Sequence, residues 1–372
     1  MPGSDVPDDN LEFGYRPVLT SPEDADDAYT YNLAFLATDL LPDDTAFTVA
    51  EAELAAVNTE YHDLGVPVPG FTCTYGDRIG EDLGATDCAM VPVDLPTERI
   101  EYYNADTSME WPTLVMGGRI DDDGWGIAEG FTSTETLVIE AGERSSRDMV
   151  NGPFGGGAAD GALLGSDEAS ALNLQLSLGA GYAGEEQRFL GYEATAALTK
   201  GGNEIGKWEG DPGDEFEFEL DGAGRYTLAV EGTRDAATGL FATESAVEWT
   251  FDADPADVGD EGYLPFSLPT VAFEAEGVEG GWAHAWCSQD IALSLEPGAF
   301  GDSRARLTAV ELEVSYDDGK TWAAVELDNV GDTVEGTLRH PRGAAFVSIR
   351  VNAADDRGHE IAYTTIRSYG LR

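Results

Sequence analysis

Ser108 is the residue whose surroundings come nearest to those of a catalytic nucleophile in this chain of 372 residues. It lies in the segment 106–110, which reads DTSME. A serine nucleophile needs small flanking residues, which expose its hydroxyl, and a histidine base within hydrogen-bonding distance. Here the segment begins and ends with an acidic residue, Asp106 and Glu110, Trp111 and Pro112 follow it, and His62 is the one histidine upstream. We therefore predict a strand-to-turn segment without a catalytic residue.

The remaining ionisable residues form no recognisable catalytic or metal-binding motif. His284, His340 and His359 are scattered, and no two histidines of the chain have i,i+4 or His-x-His spacing. With 72 acidic residues, carboxylate pairs are too frequent to indicate a glycosidase site. The run 121–124 (DDDG) is similar to the start of a calcium loop but lacks the spacing and terminal Glu of an EF-hand. We expect no cofactor and at most weak calcium binding.

The sharpest local motif is S-x-D-x-G-x-T-W at residues 315–322. In such a turn the Asp accepts hydrogen bonds from backbone N–H groups, the Gly supplies a positive φ, and the Trp packs back over the hairpin. This is the Asp-box hairpin of sialidases and other β-propeller proteins, in which it recurs once per blade. A single copy in the sequence disfavours a propeller. The motif predicts a structural hairpin with five defining residues, Ser315, Asp317, Gly319, Thr321 and Trp322.

Cysteines and tryptophans give two further candidates. Cys73 and Cys88 flank a short loop that contains Gly and Asp, so a disulfide between them is geometrically easy, and Cys287 would then be unpaired. Trp282 and Trp286 lie four residues apart near glycines. Core packing at a module boundary is one interpretation of this pair, and an exposed aromatic platform for a ligand is the other.

Charge excludes several classes of partner. The chain has 72 Asp and Glu against 20 Lys and Arg, a formal net charge of −52. Such a surface repels phosphate backbones and anionic lipid headgroups, which argues against nucleic-acid and membrane-surface binding. It is typical of salt-adapted or extracellular proteins, in which it favours solubility. No apolar run approaches the roughly 20 residues of a membrane span, and the N-terminal residues 1–14 do not have the pattern of a signal peptide.

The pattern of apolar residues predicts an all-β fold. Short runs with period-2 alternation, such as 172–178 (LNLQLSL) and 215–220 (EFEFEL), are separated by turn-forming residues, with 45 Gly and 17 Pro in the chain. The single helical candidate is 50–57. We predict two to three β-sandwich modules in tandem, similar to immunoglobulin or fibronectin-III domains. The predicted segments are an acidic lead-in at 1–28, a β module at 29–140, a Gly-rich connection at 141–168, a β-sandwich at 169–253 and a C-terminal β-sandwich at 256–372.

The C-terminal stretch 312–372 resembles the extreme C-terminus of large secreted subtilisin-like serine peptidases from actinobacteria. Those chains end with D-V-S-Y-D-D-G-x-T-W, then H-P-x-x-A-G-x-V-S-L-R, A-x-D-x-x-G-N and T-x-I-R-A-Y-x-L. The counterparts here are 315–322, 340–350, 353–358 and 365–371, and His359 stands where an Asn is usual. Upstream agreement is weaker but in order over most of 30–372. The segment 106–110 also resembles the family's Gly-Thr-Ser-Met-Ala nucleophile segment, with Asp106 and Glu110 in place of the flanking Gly and Ala.

The resemblance implies that this chain is a non-catalytic C-terminal region, since the family's catalytic Asp, His and Ser motifs are not in its sequence. It further implies a secreted protein whose partner is a catalytic subtilisin-like domain, and roles in substrate positioning, folding or surface docking with a protein or glycan ligand. Two alternatives stay open. The Asp box and the tryptophans favour a carbohydrate-binding module or a degenerate sialidase-like enzyme. The acidity and the serial β modules favour a surface-layer or adhesive protein with calcium-dependent stability.

Overall fold

A computed structural model confirms the all-β class, with 63% of the chain in strands and 2% helical. It describes residues 12–22, 28–38, 46–79, 88–104, 106–121, 124–165, 171–179, 186–258, 263–285, 288–298, 303–330 and 332–372. Within these ranges the helical residues form two 3₁₀ turns, Glu51–Glu53 and Pro255–Asp257. No helix in the same ranges combines the length and apolar character needed to cross a bilayer.

The chain forms two compact units. Unit 1 comprises Met1–His62, Val68–Ile127 and Ser133–Met149, and unit 2 comprises Asp63–Pro67, Ala128–Thr132 and Val150–Arg372. The first twelve strands in chain order are β1 Glu12–Tyr15, β2 Val18–Thr20, β3 Tyr29–Asn32, β4 Phe35–Thr38, β5 Leu54–Tyr61, β6 Val68–Thr74, β7 Asp77–Arg78, β8 Met90–Leu95, β9 Thr97–Asn104, β10 Met109–Ile120, β11 Gly126–Leu137 and β12 Arg144–Met149.

Unit 1 is built on two main sheets. One has the order β12-β5-β9-β3-β2, and the other contains β11, β10, β6 and β8 in that order, with β7 beside β10. Strands β12 and β5, and strands β3 and β9, pair in parallel, while β5 and β9 are antiparallel. The ring of Tyr103 on β9 packs edge-on against Trp111 on β10, with centroids 5.1 Å apart. The apolar core therefore lies between the inner faces of the two sheets.

The remaining strands belong to unit 2. They are β13 Gly157–Leu164, β14 Ala171–Leu178, β15 Glu186–Phe189, β16 Tyr192–Lys200, β17 Asn203–Gly210, β18 Phe216–Glu219, β19 Gly224–Arg234, β20 Glu244–Ala253, β21 Leu264–Pro265, β22 Thr270–Ala275, β23 Trp282–Ala283, β24 Ser288–Glu296, β25 Leu307–Ser315, β26 Ala323–Ala324, β27 Leu327–Val330, β28 Thr333–Arg339, β29 Phe346–Asp355 and β30 Glu360–Leu371.

A nine-stranded sheet dominates unit 2, with the order β17-β16-β19-β20-β30-β29-β25-β26 and with β23 beside β30. Two four-stranded sheets, β18-β14-β13-β21 and β22-β24-β28-β27, accompany it. Phe218 on β18 lies against Gly206 on β17, and Phe273 on β22 stacks on Tyr369 of β30. The four-stranded sheets thus contact different parts of the large sheet. The strict alternation of buried and exposed residues along β19 and β20 fits one face packed and one face solvated.

The predicted segments and the observed structure differ at several points. Strands from the predicted modules 169–253 and 256–372 share the nine-stranded sheet, because β20 pairs with β30 along Glu244–Thr250. The predicted connection 141–168 contains β12 and β13. The helical candidate 50–57 is a single 3₁₀ turn followed by β5. Most of the lead-in 1–28 lies outside the described residues.

Candidate binding surface

The outer face of the five-stranded sheet of unit 1 carries a row of aromatic side chains. Tyr31 on β3 pairs with Tyr102 on β9, and Leu19 on β2 pairs with Tyr31 on its other side. The rings of Tyr31 and Tyr102 stack, with centroids 4.8 Å apart and planes 19° from parallel. Tyr29 meets Tyr31 edge-on at 5.7 Å. We call Tyr29, Tyr31 and Tyr102 the tyrosine row.

The tyrosine row can do what exposed aromatic surfaces do in recognition. All three side chains are only half-buried, and Leu19 beside them is 56% exposed. Each tyrosine offers an apolar ring face and a hydroxyl that donates and accepts hydrogen bonds. Partial burial and the neighbouring phenol of Tyr102 raise the pKa of Tyr31, so its hydroxyl stays protonated at neutral pH.

The inner face of the same sheet carries a buried ion cluster formed by Arg99, Glu101 and Arg147. The Arg99 and Arg147 guanidinium groups donate to the two carboxylate oxygens of Glu101 at 2.7 and 2.5 Å. The hydroxyls of Tyr61 and Tyr103 donate to the same two oxygens, each at 2.8 Å. Burial alone would raise the pKa of the Glu101 carboxyl, but the two guanidinium groups and the Tyr61 hydroxyl outweigh burial and hold it well below its usual range.

Hydrogen bonds from the ion cluster also reach the second sheet. Arg99 donates to the Thr72 hydroxyl on β6 at 2.9 Å, and Arg147 donates to the Thr113 hydroxyl on β10 at 3.2 Å. Strands β9, β12, β6 and β10 are therefore connected through one buried network. Such a network fixes the backbone of the five-stranded sheet and, with it, the positions of the side chains on the outer face.

An acidic row lies on the outer face next to the tyrosine row. Glu60 on β5 has Glu98 of β9 opposite it on one side and Asp148 of β12 on the other. His62 follows two residues after Glu60, and its Nε2 atom lies 3.3 Å from Oδ1 of Asp148. One ligand atom from each of Glu60, His62 and Asp148 lies within 4.8 Å of the other two, so these three side chains could hold a metal ion.

Ser108 lies at a separate cavity of unit 1, of about 560 Å³, which is also lined by Phe35, Phe47, Asn104 and Asp106. The Asp106 carboxylate accepts a hydrogen bond from the Ser108 backbone N–H at 2.9 Å, and this bond lowers the pKa of Asp106. The segment 106–110 therefore runs from a turn into β10, which begins at Met109, in the opposite order to the predicted strand-to-turn segment.

Three histidines have ring contacts with groups other than a serine hydroxyl. His62 contacts Asp148, His340 contacts the Tyr316 hydroxyl and Gln289, and His359 contacts Asp355. Burial lowers the pKa of His340. The rings of His62, His340 and His359 are therefore engaged with partners other than Ser108.

The Asp-box motif forms a closed turn in unit 2. Asp317 accepts hydrogen bonds from the Thr321 backbone N–H at 2.9 Å and from the Thr321 hydroxyl at 2.8 Å. The Ser315 hydroxyl accepts the Gly319 N–H at 2.9 Å and donates to Asp317. Gly319 has φ +76°, and the Arg350 guanidinium lies 4.2 Å from the Trp322 ring centroid. All five motif residues thus take part in one turn, and their contacts are structural.

The remaining candidates are placed as follows. Cys73 and Cys88 are joined by a disulfide, with Cα atoms 5.5 Å apart. Trp282 is half-buried and packs edge-on against Phe241 with centroids 5.3 Å apart, which favours its packing interpretation. Trp286, and the middle of the calcium-like run 121–124, lie outside the described residues.

No protein-family model matches the chain, and no curated protein matches it either. The fold itself defines the class, an all-β protein with several separate sheets.

The tyrosine row and the acidic row were not predicted from the sequence. A local signal existed, because Tyr29 and Tyr31, and likewise Glu60 and His62, are two residues apart and so share a face of a strand.

Proposed function

We propose that this chain is a non-catalytic accessory region of a secreted subtilisin-like serine peptidase. The observation that carries the proposal is that the segments resembling this family contact one another. Arg350, from the second segment, covers the Trp322 ring of the first. Arg367, from the fourth, binds the Asp318 carboxylate of the first through two hydrogen bonds of 2.9 and 3.1 Å. The matched segments therefore pack against one another in unit 2, as parts of one domain would.

The proposed role is binding, because the candidate catalytic groups are engaged in structural contacts. The carboxylates of Asp106 and Asp317 cap turns, and the His340 ring is held between Tyr316 and Gln289. A catalytic domain elsewhere in the same polypeptide or encoded upstream would supply the chemistry, while this region positions substrate, assists folding or docks on a surface.

An active-site-directed fluorophosphonate tests the non-catalytic part of this proposal. The purified chain is incubated with the probe beside active subtilisin, and labelling is read by mass spectrometry. We expect labelling of subtilisin and none of this chain. Ser108→Ala serves as the matched variant: labelling of the parent chain that this substitution removes would contradict the proposal.

A second candidate function is carbohydrate binding, and the tyrosine row favours it. Stacked rings beside polar groups on a sheet face suit the apolar faces of sugar rings, and the net charge of −52 restricts the ligand to neutral or basic glycans. A glycan array probed with the chain is the test. Tyr31→Ala and Tyr102→Ala should abolish any signal. Tyr263→Ala is the control, because Tyr263 is 51% exposed in unit 2 and lies outside the row. A glycan-binding signal that all three variants retain would exclude the tyrosine row as the binding site.

A further inference from the structure

We propose that Glu60, His62 and Asp148 bind a divalent transition-metal cation, with Zn²⁺ as the reference ion. The three residues lie on one face of two neighbouring parallel strands of unit 1, and Glu60 and Asp148 are directly paired. The inference stands on these residues alone and does not depend on the proposed accessory function.

The geometry fits an ion shared by the three side chains. Zn²⁺ lies about 2.0–2.2 Å from nitrogen and oxygen ligands in a tetrahedral arrangement, which places two ligand atoms about 3.4 Å apart. The observed separation of His62 Nε2 from Asp148 Oδ1 is 3.3 Å. All three ligand atoms lie within 4.8 Å of one another.

The cross-strand row of like charge around the same residues adds an electrostatic argument for a cation. Glu98, Glu60 and Asp148 occupy directly opposed positions on β9, β5 and β12. Like charges opposite each other destabilise a sheet, and a row of three carboxylates doubles that cost. The Asn58 side-chain amide donates a hydrogen bond of 2.6 Å to Glu98, so one of the three carboxylates has a hydrogen-bond donor. Asp148 lies 3.3 Å from the His62 ring, and a bound cation would lower the repulsion between the Glu60 and Asp148 carboxylates.

The buried ion cluster, on the inner face of the sheet, fixes the backbone at Glu60, His62 and Asp148. Tyr61 lies between Glu60 and His62, is fully buried and donates to Glu101. Arg147 precedes Asp148 on β12 and binds the other oxygen of Glu101. The His62 backbone N–H donates to the Met149 carbonyl at 3.0 Å, which extends the β5–β12 pairing beyond the end of β5. The backbone at each ligand is therefore rigid before any ion arrives.

The donor set selects the class of ion. One imidazole nitrogen with two carboxylate oxygens suits Zn²⁺ and its first-row neighbours, whereas Ca²⁺ and Mg²⁺ prefer all-oxygen sites with more ligands. The Asp148 side chain is 47% exposed and that of His62 is 17% exposed. Water can therefore reach the ion and fill the fourth position.

Calorimetric titration of the full, chelator-treated chain with ZnCl₂ at physiological salt tests the proposal. We expect one Zn²⁺ per chain and no comparable binding of Ca²⁺ or Mg²⁺. His62→Ala and the isosteric Asp148→Asn should each weaken Zn²⁺ binding by about tenfold or more. His359→Ala is the matched control, because His359 also pairs with an aspartate, Asp355, at 2.7 Å but in unit 2.

Thermal unfolding provides a second measurement of Zn²⁺ binding. Zn²⁺ should also raise the melting temperature of the parent chain and of His359→Ala, and this shift should be lost in Asp148→Asn, whose fold is checked by circular dichroism. An absence of Zn²⁺ binding to the parent chain, or binding that His62→Ala and Asp148→Asn leave unchanged, would overturn the proposal.

Discussion

Unit 1 and unit 2 are both built from packed sheets, but their interiors differ in chemistry. Unit 1 encloses the Arg99–Glu101–Arg147 ion cluster beside its apolar core, and Glu101 is completely buried. Unit 2 also buries Arg234 and Asp355, but its large sheet buries chiefly apolar and aromatic side chains, among them Leu228 and Trp249. A charged interior is sensitive to the loss of one partner and to pH. An apolar interior is sensitive chiefly to lost volume.

The largest expected effect follows from removing the charge of Glu101. Glu101→Gln removes the carboxylate that the two buried guanidinium groups share and leaves Arg147 with the more distant Glu135 carboxylate, at 3.5 Å. The free energy of unfolding of unit 1 should therefore fall by about 3–5 kcal/mol. Urea titration monitored by hydrogen exchange localises the change to unit 1. Glu313→Gln is the control, since its ion pair with Arg350 is partly exposed and should contribute less than about 1 kcal/mol. Similar effects of the two substitutions would remove the distinction between the units.

In unit 2, the largest loss of stability should come from a substitution that leaves a cavity in the core. Leu228 on β19 is fully buried, and Leu228→Ala should lower the free energy of unfolding of unit 2 by about 2–5 kcal/mol. The exposed Leu19 provides the matched substitution, and Leu19→Ala should stay within about 0.5 kcal/mol of the parent chain. Peptide-resolved hydrogen exchange reads both. A loss confined to unit 1 in Leu228→Ala would be inconsistent with two separate cores.

Acid should lower the stability of unit 1 through the protonation of Glu101. The pKa of Glu101 is held below its usual value of 4.5 in the folded chain. As the pH falls, the Glu101 carboxylate is therefore protonated in the unfolded chain before it is protonated in the folded chain. Its contribution is therefore fully present above about pH 4.5 and is lost progressively as the pH falls below that value. Between about pH 7 and pH 3, the stability of unit 1 should decline more steeply in the parent than in Glu101→Gln. Equal slopes would show that Glu101 is not the group responsible.

The smallest expected effect concerns the Asp-box turn. Gly319 has φ +76°, so Gly319→Ala should cost about 1–2 kcal/mol from the left-handed backbone. An added Cβ would also lie 2.8 Å from Cδ1 of Ile366, whereas Gly343, at φ +83°, has open space around it. Gly319→Ala should therefore destabilise unit 2 slightly more than Gly343→Ala in thermal unfolding. The reverse order would argue against a packed turn.

Features determined by near neighbours in the sequence could be predicted. The alternation in 172–178 placed β14, and the side chains of Phe216 and Phe218 are buried while Glu217 and Glu219 are exposed, as period-2 alternation requires. The Asp-box turn was predictable because its hydrogen bonds join residues at most four positions apart.

Features that depend on pairing between distant segments could not be predicted. The parallel pairing of β5 with β12 brings Asp148 beside Glu60, and no local pattern encodes that register. The pairing of β20 with β30 joins two predicted modules into one sheet. The inner face of β9 carries Arg99 and Glu101 where an apolar pattern would be expected, because their partners come from β12 and β5.

The most direct test of the proposed accessory function is the sequence of the genomic region immediately 5′ of the Met1 codon. The proposal predicts a reading frame that encodes a signal peptide and the Asp, His and Ser motifs of a subtilisin-like catalytic domain. A promoter in that position, with no such frame, would contradict it and would leave carbohydrate binding through the tyrosine row as the function to test.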